Sequence, residues 1–267
     1  MFKAIKYVVT ENISNLYRIF TISRYSIAAD IHDSHLGLFW NFANPVIQVL
    51  TYWFLFGLVL KRKSVGDVPY LPWMLAGMAV WFFLSPCITN GCNAIFQKAG
   101  VISKMKFPVS ILPATVVMQE FFNHLCFMII AVIGLLIYGF YPSIYWFELL
   151  YYMIAAILFA ISLALVTSVL NMIARDTRKF ILAIMRLLLY LTPILWDIKT
   201  LPKSLQFVMK CNPIYYIVTG YRDCFFYHKG ILFYEKQLML FWGTTIVLFA
   251  VGSTIMYKFK TRFIDLL

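Results

Sequence analysis

The sequence predicts an all-α integral membrane protein: an amphipathic interface helix, six transmembrane helices, and two short re-entrant helices before the last span. Three observations predict it. Of 267 residues, 62% are hydrophobic and only 13% charged, whereas a soluble domain is about half apolar and a quarter charged. Stretches of the ~20 apolar residues that cross a bilayer recur along the whole chain, so one membrane domain over residues 1–267 is expected. The lysines and arginines gather in alternate short loops, as the positive-inside rule requires of a multi-pass protein.

The first element is an interfacial helix over residues 1–30. Phe2, Ile5, Val9, Ile13, Leu16 and Phe20 recur at helical spacing, with Lys3, Lys6, Asn12, Asn15 and Arg18 between them. That pattern lies in the interface plane. The segment lacks the apolar core and small-residue cleavage site of a signal peptide.

The first span is expected at Gly37–Leu60, with Pro45 near its start. Leu71–Ile95 is uncharged and carries Pro86, where a kink is expected. Pro108–Tyr138 is long enough to tilt, and Leu149–Ile173 follows. The fifth span, Phe180–Trp196, is short and interrupted by Arg186; the sixth, Leu238–Tyr257, is uncharged. No internal repeat is visible, which weighs against an inverted-repeat transporter.

Orientation follows from the short loops. Lys3, Lys6, Arg18 and Arg24, then Lys98, Lys104 and Lys106, then Arg175, Arg178 and Lys179, then Lys258, Lys260 and Arg262 fall on one side. The opposite short loops hold only Lys61, Arg62 and Lys63. Both termini and the loop VISKMKFPVSILP (101–113) are therefore expected on the cytoplasmic face of the cell membrane. Between the fifth and sixth spans, Asn212-Pro213 divides two stretches each too short to cross. Residues 200–228 thus read as outer gate helices, with Asn212, Pro213, Tyr215 and Tyr216 at their junction. Such backbone is tolerated at membrane depth only where protein or a cavity covers it.

The formal net charge is +12. In a membrane protein this fits anchoring at anionic headgroups, with a polyanionic substrate as the sharper reading; nucleic acid is not expected. Cys87, Cys92, Cys126, Cys211 and Cys224 include no C-x-x-C pair, which leaves a metal or redox motif unsupported. Cys211 and Cys224 either pair or stay free thiols.

An arginine at a helix centre costs about 2.5–3.5 kcal/mol on insertion scales. Arg186 is therefore expected either to line a polar path or to sit inside the bundle as a snorkelling or carboxylate-paired arginine, with Glu120 as the partner in a pair. Glu120 and His124, one helical turn apart, are too few ligands for a metal site. No G-x-S-x-G or H-E-x-x-H occurs, and no glycine is followed by lysine, so a phosphate-cradling Walker A loop is missing. Catalytic and metal-binding residues are not expected. Asp67, in VGDVPY, reads as turn chemistry. Trp40, Trp53, Trp73, Trp81, Trp146, Trp196 and Trp242 fit an aromatic belt, some of them open to stacking on sugars.

Several stretches together resemble polysaccharide exporter permeases of the ATP-binding-cassette type. They are LGLFWNFANPVIQVLTYWFLFG (36–57), GMAVWFF (77–83), KMKFPVSILP (104–113), Ala174–Asp176, TPILW (192–196) and NPIYYIVTGYRD (212–223), in the family's order through most of the chain. The runs VGDVPYLPWMLAG, YPSIYW and RLLLYLTPILW are most similar to the permease subunit of wall-teichoic-acid exporters.

The resemblance implies a homodimer served by two copies of a separate cytoplasmic ATPase. That partner would bind ATP and Mg, and this chain would hold no cofactor. The implied substrate is a teichoic acid linked to undecaprenyl diphosphate. An O-antigen or capsule polysaccharide is the alternative within the family, and a polyprenyl-phosphate-dependent transferase the alternative outside it. The resemblance makes residues 98–107 a coupling helix: Lys104 and Lys106 would supply charge, Met105 and Phe107 the apolar anchor, and Pro108 the start of the next span. Arg186, Tyr190, Trp53 and Trp196 would line the substrate path, and Lys61, Arg62 and Lys63 would meet the emerging polymer.

Overall fold

The computed structural model describes residues 1–32, 36–102 and 107–260. The amphipathic segment expected over 1–30 is two helices, α1 (Phe2–Ser14) and α2 (Leu16–His32). They part at Asn15, whose backbone leaves helical geometry (φ −115°, ψ 19°). Its side-chain amide donates to the Glu11 carbonyl at 2.7 Å, the local bonding by which Asn competes with a helix. The pair is also tied to the bundle. Val8 is buried among Val109, Leu112 and Met256, and the Ser23 hydroxyl donates to the Thr115 carbonyl at 2.8 Å. Phe2, Ile13, Tyr17, Phe20 and Tyr25 remain exposed, which suits a helix seated in an interface.

α3 (Leu38–Tyr52) continues through widened turns over Trp53–Val59. A hairpin follows, β1 (Ser64–Val65) against β2 (Val68–Pro69). Its turn is Gly66-Asp67, with Gly66 in the left-handed region (φ 59°), so Asp67 serves the turn expected of it. α4 (Tyr70–Cys92) is apolar all round and is the central post: Trp73, Met74, Met78, Phe83 and Leu84 are all buried. The short α5 (Ala94–Gln97) and α6 (Ala99–Ile102) lead to α7 (Leu112–Ile137), and α8 (Glu148–Ile173) returns. Gly91 and Gly252 let neighbouring helices touch α8: a Cβ on either would lie 2.8 Å from the Ala164 Cβ or 2.9 Å from the Leu165 Cβ. Small residues at such crossings allow the close packing that holds membrane helices together.

Among the described residues, five helical segments are long and apolar enough to cross a membrane: Phe39–Val59, Tyr70–Cys92, Val109–Ile137, Ile144–Ile173 and Ile231–Phe259. The last contains α12 (Glu235–Phe259). The fifth expected span is corrected. In place of a helix over Phe180–Trp196 there is α9 (Asp176–Leu191), of 16 residues, about 24 Å long at 1.5 Å per residue against a hydrocarbon core of ~30 Å. Asp176, Arg178 and Lys179 occupy its first turn, and Pro193 follows its end. Residues 192–195 carry the chain onward as buried, non-helical backbone.

Beyond it, α10 (Lys203–Lys210) and α11 (Pro213–Arg222) are the two short helices expected around Asn212-Pro213. At 8 and 10 residues they reach only about 12 and 15 Å, so neither crosses. All five cysteines are free thiols, Cys211 and Cys224 included.

Candidate functional site

The most elaborate polar construction is the break after α9. Proline has no N–H, and it drives the residue before it out of helical geometry; Thr192 accordingly takes ψ 136°. The Ile194 amide turns back to the Thr192 carbonyl at 2.6 Å, a tight three-residue turn. The carbonyls of Pro193, Ile194 and Leu195 are thereby left without helical partners inside the bundle. At membrane depth such groups must be met from elsewhere.

Three distant side chains meet them. Arg222, at the end of α11 and buried, donates Nη1 to the Pro193 carbonyl and Nη2 to the Ile194 carbonyl, both at 2.7 Å. Its Nε reaches the Trp73 carbonyl at 3.4 Å, and its guanidinium carbon lies 3.4 Å from the centre of the Trp73 ring. The Tyr70 hydroxyl donates to the Leu195 carbonyl at 2.9 Å, and Arg62 Nη1 to the same oxygen at 3.3 Å. Asn212 accepts from the Ile214 amide at 3.0 Å, capping α11 ahead of Pro213, and donates its amide to the Thr192 hydroxyl at 3.0 Å. Gly77 makes the room: a Cβ there would lie 2.6 Å from Arg222 Nη2.

Beside this knot is a cavity of 260 Å³. Asp223, the neighbour of Arg222, lines it; it is 1% exposed and neither carboxylate oxygen has a hydrogen-bond partner. Asp223 lies outside the five crossing helices. Burial pushes its carboxyl up to about 7, against the pull of Lys229 and Arg222 and with a smaller push from Glu148.

The residues expected to act are placed unevenly. Tyr215 lines this cavity, whereas the Tyr216 hydroxyl meets that of Tyr151 at 3.2 Å inside the core. Lys61 and Lys63 are exposed, but Arg62 turns inward to Leu195 and lies 5.6 Å over the Phe56 ring, so the three do not form one free cationic cluster. Trp196 donates its indole N–H to the Tyr190 carbonyl at 2.8 Å, which brings those two together. Trp53 is half-buried, and Tyr190 is 57% exposed.

Arg186 is exposed on α9 and forms no pair with Glu120. The Glu120 carboxylate instead accepts from Asn90 at 2.9 Å and Asn123 at 3.2 Å, and His124 Nε2 lies 3.0 Å from the Tyr221 hydroxyl. Amides on neighbouring turns neutralise the need that an arginine was expected to fill. Of the coupling residues, Lys104, Met105 and Lys106 lie outside the described residues. Phe107 is half-buried against the clusters around Val8 and Ile19, next to Pro108.

Arg222 and Asp223 are the functional candidates that sequence reasoning passed over. Their signal was present: two charges stand inside the otherwise apolar IYYIVTGYRDCFFY, and ionisable groups in such runs default to functional or structural roles.

A second polar cavity, of 290 Å³, lies between α3, α4 and α7. Asn41, Asn44 and Gln48 of α3 face Glu120 and Asn123 across it. Pro45 and Pro86 line it too, and each proline deprives the carbonyl four residues before it, on Asn41 and Phe82, of a helical donor.

This combination of apolar crossing helices, a satisfied backbone break and polar cavities suits a pathway protein, and comparison with known proteins agrees. Residues 17–226 match the ABC-2 type transporter family model. The chain is 30% identical to an O-antigen export system permease protein RfbA of Klebsiella pneumoniae over 236 residues, 88% of this chain and 89% of that one. It is 24% identical to a protein of the same name from Myxococcus xanthus over 251 residues, 92% and 94% of the two chains. With most of its length inside the match and its crossing helices in place, the chain belongs to the ABC-2 type transporter family, as a multi-pass membrane permease.

Proposed function

We propose that the chain is the membrane subunit of an ATP-driven exporter of a lipid-linked polysaccharide, of the kind named in its relatives. The observation that carries this reading is the full-length similarity to O-antigen export permeases. The buried break beside a sugar-sized cavity supports it. Energy comes from a separate ATPase that binds ATP and Mg. It docks on the cytoplasmic 98–107 segment, through Lys104, Lys106 and their neighbours. Two copies of the permease face each other across α3 and α9. These helices are suited to that role: Val49 alone is buried among the described residues of Phe39–Val59, and Phe180, Leu187 and Tyr190 of α9 stand exposed. ATP drives transport because it binds one arrangement of the dimer better than the other.

A teichoic acid is the second reading. The exposed Lys61 and Lys63, on the side expected to face outward, favour a phosphate-bearing polymer. Co-purification of permease and ATPase, followed by ATP hydrolysis with each class of lipid-linked polymer, tests both readings. Stimulation by the neutral glycan supports the first, and stimulation only by the polyol phosphate supports the second. A double reversal, Lys104→Glu with Lys106→Glu, that leaves co-purification and turnover unchanged removes the docking assignment.

A further inference from the structure

The cavity beside Arg222 has a composition that export alone does not require. Its ionisable walls balance in sign: Asp67, Asp197 and Asp223 against Lys199, Arg222 and Lys229. Arg222 already spends three of its five N–H donors on the carbonyls of Pro193, Ile194 and Trp73. A phosphate or other polyanion therefore finds little net attraction here. Asp223 presents the opposite need. Its two oxygens are buried acceptors without partners, and a buried carboxylate left unmet demands a ligand, a water or a proton. A ligand that satisfies it must bring at least two donors close together.

Size narrows the choice. The 260 Å³ available falls below the ~300–1,000 Å³ of sites for drug-sized molecules, so one small ring fits and an oligosaccharide does not. Tyr227 and Tyr234 add aromatic wall. Lys229 Nζ, 3.2 Å from the Tyr234 hydroxyl and 4.7 Å from the Phe233 ring centre, is held at the edge of the cavity. Paired carboxylate acceptors, aromatic faces and a positioned ammonium are the groups that recognise vicinal hydroxyls on a pyranose ring.

We infer that this cavity binds a single neutral sugar ring, with Asp223 accepting hydrogen bonds from two adjacent hydroxyls and Tyr227 packing on the ring face. The inference rests on the proposed export of a polysaccharide and deepens it: the site would hold one unit of the glycan on the side where it emerges.

The test uses the full chain in lipid nanodiscs and ligand-observed saturation-transfer NMR. The probes are D-galactose, N-acetyl-D-glucosamine, D-glucuronic acid and glycerol. Saturation should pass to at least one of the neutral sugars and not to glycerol. It should fall roughly tenfold or more in Asp223→Leu, the loss expected for charge-assisted hydrogen bonds, and also in Tyr227→Ala. Asp223→Leu should unfold at the same temperature as the parent or higher, because it removes an unmet buried carboxylate; lost binding then cannot be lost fold. Should that variant fail to fold, Asp223→Asn and Tyr227→Ala carry the comparison. Binding of no sugar, binding equal in all variants, or binding of glucuronate alone overturns the inference and leaves a water-filled niche. Export by the parent protein with its ATPase is measured in parallel. Export without sugar binding sinks the inference alone, and sugar binding without export sinks the transport reading while keeping the site.

Discussion

Arg222→Leu is the perturbation that most directly tests the buried break. The substitution keeps bulk but strands the carbonyls of Pro193 and Ile194, each now 2.7 Å from a guanidinium nitrogen. A buried acceptor left unmet costs about 1–3 kcal/mol, and a desolvated cation over an indole contributes about 2 kcal/mol. Part of this is offset, because a buried guanidinium carries a desolvation penalty of several kcal/mol. The net expectation is a loss of about 3 kcal/mol in unfolding free energy. Arg222→Lys keeps the charge without the planar fork and should lose about half as much.

Gly77 supplies an internal control. Gly77→Ala places a methyl 2.6 Å from Nη2 and 3.2 Å from the Ile194 carbonyl oxygen, an overpacking worth about 1–3 kcal/mol. In the Arg222→Leu background most of that clash is gone. The two substitutions should therefore be coupled by about 1 kcal/mol or more. The assay is equilibrium unfolding of the full chain in mixed micelles, on the two single variants and the double. An Arg222→Leu protein within about 0.5 kcal/mol of the parent, or strictly additive losses, would refute the assignment of Arg222 as the partner of the break.

The same assay serves other sites. Gly220→Val would drive a side chain into the Tyr152 ring, 2.1 Å from the position of a Cβ, and should cost about 3 kcal/mol; Tyr152→Leu in the same chain should recover part of it. Asn212→Ala loses both the α11 cap and the bond to Thr192 and should cost about 1–2 kcal/mol. Glu120→Gln should be nearly silent, because an amide oxygen still accepts from Asn90 or Asn123. Glu120→Leu removes the acceptor of both and should cost about 1 kcal/mol, since Asn90 is exposed and Asn123 only half-buried, and their amides turn to solvent. The last concerns pH. The Asp223 carboxyl is raised in the folded chain to about 7, above an unfolded value of ~3.9. Folding then favours its protonated form: this contribution is fully present below the unfolded value and fades as pH rises toward 7. Asp223→Asn should flatten that part of the stability profile, and an unchanged slope would show that Asp223 is not the group responsible.

The crossing helices were legible because a bilayer imposes length and apolarity locally, and Leu71–Ile95 or Leu238–Tyr257 satisfy both within one window. The α9 region was misjudged for the same reason. Read locally, Phe180–Trp196 is apolar enough to continue, yet Thr192-Pro193 halts the helix and residues 192–195 are buried without being helical. Nothing within that window says how their carbonyls are met, since the donors come from positions 62, 70 and 222. Arg186 was a prominent charge in the sequence and Arg222 a quiet one, yet burial went the other way. Arg186 sits on an outward face of a helix with little covering it, whereas Arg222 ends a short helix that dives against α4. Amphipathic position on a single element cannot reveal which neighbour closes over it.

The satisfied break also constrains how such a permease can move. Opening that pulled α9 away from α11 would part Arg222 from two carbonyls and Asn212 from Thr192 at once. Losing those bonds together costs about 3 kcal/mol or more, because backbone buried in the bundle has few other partners to take them over. Sliding of α9 along α3 carries a smaller penalty. One side-chain hydrogen bond, between Tyr52 and Tyr190, links them, and the exposed Phe54, Leu58, Leu187 and Leu191 offer no directional bonds. Apolar faces re-pair at small cost when one surface slides over another, whereas hydrogen-bonded carbonyls do not. The end of α9 that bears Thr192 is therefore a fixed point shared with α4 and α11, and displacement is confined to its exposed face and to the end that begins at Asp176. That end is the one expected to face the cytoplasm from the cation count, which is where force from an ATPase would arrive.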